Sequence, residues 1–119
     1  MPTSRIYHVC PWPAWRAAEA EGVYRGGALD KRDGFIHFSA ADQLVATVET
    51  YLAGQPNLAL LEVDPAALGA ELRWETSRSG AAFPHLYADL PTRAVADVHD
   101  LPLSPDGRHV FPPALSGAD

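Results

Sequence analysis

Apolar and polar positions along the chain divide into short segments with either a two-residue or a helical period. Arg5-Ile6-Tyr7-His8-Val9 is β-branched and aromatic and runs into Pro11 and Pro13. It predicts a first strand that stops before those prolines, because proline cannot donate to a central ladder. Trp12 to Glu21 is rich in Ala, Glu and Arg, has Pro13 in its first turn and is followed by Gly22, which predicts a helix. Gly26 to Gly34 reads as a polar loop, and Phe35 to Phe38 as a strand ended by Ser39. With Asp42 three residues on, Ser39 makes a variant capping box for a second helix. In that helix Leu44, Val45, Val48, Tyr51 and Leu52 recur at helical spacing up to Gly54.

Leu58 to Val63 is a continuous apolar run between Pro56-Asn57 and Asp64-Pro65, as expected of a strand buried on both faces. Glu71-Leu72-Arg73-Trp74-Glu75 alternates, which places Leu72 and Trp74 inward and Arg73 and Glu75 together on the other face. Thr76 to Ala82 is small and polar and reads as a mobile loop, a candidate lid. Phe83 to Tyr87 is extended, with Pro84 limiting its ladder, and Leu90-Pro91 opens a turn. Ala94 to Val98 is another strand, and Pro105-Asp106-Gly107 a tight turn into Arg108-His109-Val110-Phe111. The pattern predicts one α+β domain over residues 1–112 with a disordered tail at 113–119.

Composition narrows the partners. A chain of 119 residues with 47% hydrophobic and 20% charged residues can bury a core of its own. A formal net charge of −6 argues against a protein that coats nucleic acid non-specifically or binds an anionic membrane. No apolar run approaches the roughly 20 residues needed to span a bilayer, and the start of the chain lacks a signal-peptide pattern, so the cytoplasm is the expected location. Cys10 is the single cysteine, which excludes an internal disulfide; a thiol paired with His8 is a weak alternative to simple burial.

The residues able to carry chemistry cluster in two histidine-bearing segments. Alternation puts Phe35, His37 and Ser39 on one strand face, with His37 emerging where a helix begins and an anion would be favoured. His85 and Tyr87 share a face of their segment, one able to exchange protons near neutral pH and the other to stack on a flat ring. Glu75 is the best-placed carboxylate for a general base, unless Arg73 simply pairs with it. Arg73 and Arg78 flank Trp74 and Glu75, where a guanidinium could hold a phosphate or carboxylate. A metal site built from His8, His37, His85 and Glu75 has no His-x-His or Cys-x-x-Cys spacing behind it, so no metal is assigned. His99 and His109 sit beside predicted turns and read as solvated. Gly-x-Gly-x-x-Gly, Walker, Gly-x-Ser-x-Gly and His-Glu-x-x-His motifs are all absent.

Ile6-Tyr7-His8, Trp15, Asp33 to Ser39, Leu72 to Glu75, Phe83 to Tyr87 and Gly107 to Pro112, taken together, resemble domain-of-unknown-function family 952, small bacterial proteins. The resemblance implies an ADP-ribosyltransferase-like fold: two small facing sheets around a cleft, with two main helices outside. It also implies an NAD-type ligand. His8 stands at the position of an early strand histidine, His37 at that of a ring-stacking tyrosine, and His85 where that superfamily carries a glutamate. Glu75 is the candidate substitute from a neighbouring strand. The resulting expectation is a transferase or glycohydrolase acting on NAD or a nucleotide-derived small molecule. In it His37, His85 and Glu75 are catalytic, and His8, Ser39, Arg73, Trp74 and Tyr87 bind ligand. A non-catalytic binding or regulatory module and a metal-dependent small hydrolase are the alternatives.

Overall fold

The computed structural model describes residues 5–77 and 80–115. In chain order the main elements are β1 (Ile6–Pro11), α1 (Trp12–Glu21), β2 (Val23–Tyr24), α2 (Ala28–Asp33), β3 (Ile36–His37), β4 (Ser39–Ala40) and α3 (Ala41–Tyr51). They are followed by β5 (Leu58–Val63), β6 (Leu72–Thr76), β7 (Ala82–Leu86), β8 (Leu90–Pro91) and β9 (Val95–Asp100). The fold is α+β, and every strand pairing among the described residues is antiparallel. These residues form three sheets where two were expected: β4-β1-β5-β9, β3-β7-β6 and the ribbon β2-β8.

The continuous apolar run of β5 has the environment its composition demands. On one side Ala59, Leu61 and Val63 join a buried cluster with Ile6, Cys10, Trp15, Ile36, Phe38, Leu86 and Leu90, so all three sheets and α1 meet on one core. On the other side Leu58 and Leu60 pack with Tyr7, Leu44 and Val48, which is the apolar stripe of α3. Fully burying each large aliphatic side chain stabilises by about 1.5–3 kcal/mol, and with two covered faces β5 has no polar position to spare except Glu62.

Several local expectations are corrected. The polar stretch after Gly26 contains a helix, α2, because Gly27 and Gly34 close its two ends and Asp30 accepts the Gly27 N–H at 2.7 Å. Gly34 adopts φ 85°, a conformation that glycine takes without a Cβ penalty. The expected Phe35–Phe38 strand is divided: β3 belongs to one sheet and β4 to another, with Phe38 between them donating its N–H to the Pro84 carbonyl at 2.9 Å. The face shared by Phe35, His37 and Ser39 therefore does not continue through the segment. Ser39 is not the cap of α3. Ala40 holds that position, and its N–H is accepted by the Gln43 side chain at 2.9 Å.

Leu90-Pro91 pairs with Val23-Tyr24 and is not a turn, while Pro11 occupies the last rung of β1, opposite Leu58. Trp74 is 52% exposed rather than inward. The candidate lid includes residues 78 and 79, which lie outside the described residues, as does the phosphate-holding role suggested for Arg78. Its two ends close a hairpin, with Ser77 N–H bonded to the Ala81 carbonyl. Past residue 112, Pro113–Leu115 forms a 3-10 turn and Leu115 is buried in the α3-side cluster, so the chain stays packed into the stretch expected to be disordered. Residues 116–119 lie outside the described residues.

Candidate functional site

Strand alternation in β1 sends His8 to the same side as Ile6 and Cys10, into the core. Its Nδ1 lies 2.6 Å from the His37 carbonyl and its Nε2 2.7 Å from the Tyr24 hydroxyl. Burial lowers the His8 pKa, which keeps the ring neutral. A carbonyl can only accept, so Nδ1 carries the proton and Nε2 accepts from Tyr24. His8 thus has both nitrogens engaged inside the protein and meets the surface site from beneath, through the His37 carbonyl and beside Asp30. Cys10 beside it is buried, and burial pushes its thiol up to about 12, which leaves no thiolate for nucleophilic chemistry.

Asp30 on α2 is the hub of the next shell. It is 6% exposed, and one carboxylate oxygen accepts both the His37 N–H at 3.0 Å and the His37 Nδ1 proton at 2.6 Å. The other oxygen accepts the Gly27 N–H and stands 3.8 Å from His8 Nε2. Burial acts to raise the Asp30 pKa, but the hydrogen bonds from His37 and Gly27 outweigh it and hold the carboxyl ionised, below its ordinary value. Asp33, one turn along α2, faces the other nitrogen of His37 at 3.0 Å. The bond to Asp30 raises the His37 pKa against the opposing effect of burial, and Asp33 adds to it. His37 is therefore clamped between two carboxylates that favour its protonated form.

The β6–β7 hairpin supplies the second half. Its register pairs Arg73 with His85 and Glu75 with Phe83, placing Arg73, Glu75 and His85 on one face. One oxygen of Glu75 accepts from His85 Nδ1 at 2.8 Å and from the Tyr87 hydroxyl at 2.7 Å. These two bonds, His85 first, lower the Glu75 pKa, and the carboxylate in turn raises that of Tyr87. Arg73 lies over the Tyr87 ring, its guanidinium carbon 4.8 Å from the centroid, and is not paired with Glu75 as the alternative reading supposed.

Phe35 joins the halves. Its ring stacks on His85 at 4.1 Å with an interplanar angle of 24°, and contacts His37 at 4.5 Å and Tyr87 at 5.1 Å. The His37 and His85 rings meet edge to face at 5.5 Å, as their pairing across β3 and β7 requires. A cavity of about 250 Å³ adjoins this group and is lined by Arg25, Lys31, Phe35, Tyr87 and Asp89 among others.

Of the expected site residues, the structure brings together His37, His85, Glu75, Arg73 and Tyr87, with His8 beneath them. It does not bring Ser39, which is buried in β4 opposite Tyr7, nor Trp74, which lies on the opposite face of β6 from Glu75. Sequence reasoning missed Tyr24, Asp30 and Asp33, and gave Phe35 no role. The only local signal was the Asp33–His37 spacing of four residues next to a glycine, hidden by reading the acidic stretch as loop.

The crystal structure of protein CC0527 from Caulobacter crescentus matches with a TM-score of 0.86 at 44% identity, covering 90% of this chain and 94% of that one. The solution NMR structure of CC0527 matches with a TM-score of 0.79 at 45% identity, covering 87% of this chain and 90% of that one. No curated protein matches. No helix among the described residues is long and apolar enough to cross a membrane. The family described as "Protein of unknown function (DUF952)" matches residues 9–98, and the chain belongs to that family.

Proposed function

We propose that the face formed by Phe35, His37, Arg73, Glu75, His85 and Tyr87 binds NAD or another nucleotide-derived metabolite and acts on it as a transferase or glycohydrolase. The observation that carries this reading is the Glu75–His85 pair. Glu75 fixes His85 through Nδ1 at 2.8 Å, which orients the ring and leaves Nε2 as its proton-exchanging atom. Phe35 and Tyr87 offer flat surfaces to a ring, and Arg73 offers a positive charge to a phosphate.

In a glycohydrolase the N-glycosidic bond breaks, its electron pair leaves with the base, and water adds to the ribosyl carbon while giving up a proton. His85 Nε2 accepts that proton, and Glu75 stabilises the imidazolium and the positive charge developing on the sugar. The ADP-ribosyltransferase-like arrangement belongs to this reading: His85 stands where a glutamate is expected, and Glu75 brings a carboxylate to the same place from the neighbouring strand.

The test is a thermal-shift screen with NAD, ADP-ribose and mononucleotides, followed by chromatography for released base. Ligand at about 100 times its dissociation constant adds about 2.7 kcal/mol, a readable shift. A shift with at least one of them, and base release lost in His85→Ala and Glu75→Gln, is expected. No shift with any of them ends the nucleotide reading.

A second reading, a non-catalytic binding module, is favoured by one observation: both nitrogens of His37 are already held by Asp30 and Asp33, so this histidine has no proton to exchange with a ligand. A ligand that binds and is recovered unchanged, with His85→Ala weakening affinity alone, selects it.

A further inference from the structure

We infer that Glu62, Asp97 and His99, remote in role from the site above, bind one divalent transition-metal ion of the zinc class. Glu62 is the single charged residue of the apolar strand β5, and it pairs across the ladder with Asp97 on β9. Asp97 and His99 are two residues apart on that strand, so both project to the side of Glu62. His99 is not free in solvent as the sequence suggests. Its Nε2 lies 2.9 Å from Glu62 Oε1 and 3.8 Å from Asp97 Oδ2.

Geometry separates this triad from the other acid–histidine groups. His37 also has two carboxylates, but they occupy opposite nitrogens of its ring and cannot converge on one ion. His85 has one carboxylate. At His99 both carboxylates face the same nitrogen, and the three ligand atoms lie within 4.8 Å of one another. Donor atoms around a tetrahedral ion, each at roughly 2.0–2.2 Å from it, are separated by about 3.3–3.6 Å. The separations of 2.9 and 3.8 Å straddle that range, so an ion can replace the shared proton with small side-chain adjustments. The set of one imidazole and two carboxylates suits zinc and its neighbours, since a neutral imidazole and two anions balance a divalent charge.

Two further features bear on the same spot. The β5–β9 register shifts between Glu62 and Val63, so that Val63 opposes Val95 and Ala96 is left over; such bulges re-aim side chains beside sites. Asp97 is largely exposed and β9 is the edge of its sheet, which leaves the fourth coordination position open to water or a small ligand. The guanidinium of Arg5 stands 3.6 Å from the other oxygen of Glu62 and opposes a cation there, which lowers the affinity without blocking the site.

Tag-free protein stripped with chelator is titrated with zinc chloride in a calorimeter, and cobalt(II) absorption reports the ligand geometry. One ion per chain is expected. Asp97→Asn and His99→Ala should each weaken binding by about tenfold or more, Arg5→Gln should strengthen it, and His85→Ala should leave it unchanged. The exposed position of Asp97 keeps Asp97→Asn folded, which melting in chelator verifies against the parent. Absence of saturable binding, or binding that survives both Asp97→Asn and His99→Ala, overturns the inference. So does binding lost in His85→Ala. None of these outcomes depends on whether the nucleotide reading holds.

Discussion

His8 Nδ1 donates to the backbone carbonyl of His37 at 2.6 Å, so a buried residue of the four-stranded sheet holds the peptide of a residue in the three-stranded one. Replacing His8 with leucine keeps the volume but strips that carbonyl and the Tyr24 hydroxyl of their partner. A buried polar group left unmet costs about 1–3 kcal/mol, so His8→Leu, which strands two, should lose roughly 2–6 kcal/mol. The measurement is urea unfolding, with the midpoint falling at unchanged slope. A loss below about 0.5 kcal/mol would show that both groups find other partners.

The pH dependence of His37 has a definite sign. Its folded pKa is raised above the ordinary 6.5, so its contribution to stability is fully present below 6.5 and is lost as pH rises through the folded value. The stability difference between the parent and His37→Gln should therefore shrink as pH rises above 6.5. His8, with a lowered pKa, acts oppositely: its contribution is present above 6.5 and is lost as pH falls through the folded value. Parent-minus-variant differences, measured by unfolding at each pH, separate the two. A His37→Gln difference that grows toward alkaline pH would contradict the clamp.

Gly26 has φ +94°, and a Cβ there would meet the Asp30 Cβ at 2.7 Å. Gly22 has φ +88° with nothing within 4 Å. Gly22→Ala should cost only the left-handed penalty of about 1–2 kcal/mol, and Gly26→Ala should exceed it by roughly 1–3 kcal/mol from overpacking. Equal melting temperatures for the two variants would show that α2 gives way cheaply.

Phe35 and Trp74 provide a paired test of which face binds. Phe35→Ala removes the ring stacked on His85 and should weaken any nucleotide bound at the site by about tenfold, in line with the ~1–3 kcal/mol of a base–aromatic stack. Trp74→Ala, on the opposite face of β6, should leave that affinity within about twofold. The reverse order in a binding titration would move the site to the other side of the sheet.

What could be read from the chain alone depended on how local its cause was. The helices at Trp12–Glu21 and Ala41–Tyr51 and the buried strand Leu58–Val63 follow from periodicity and stop residues. Helix α2 escaped because its six residues are mostly polar and its stability comes from Asp30 reaching back to Gly27 and forward to His37. Alternation correctly put Arg73 and Glu75 on one face, but the partner of Glu75 is His85, set by a hairpin register that no local spacing encodes. The predicted cap at Ser39 lost to Gln43, and the predicted face of Phe35, His37 and Ser39 was cut by the change of sheet at Phe38.

That change of sheet fixes how the two sheets can move. Within the five residues Ile36 to Ala40 the chain is bonded first to β7 and then to β1, with the Phe38 amide tied to Pro84 between them. The two sheets are stitched together directly under His37, so they cannot part like jaws without breaking ladder bonds on both sides of the seam. On the reading proposed above, the aromatic and acidic face is an anvil, and a bound molecule would have to conform to a surface already set.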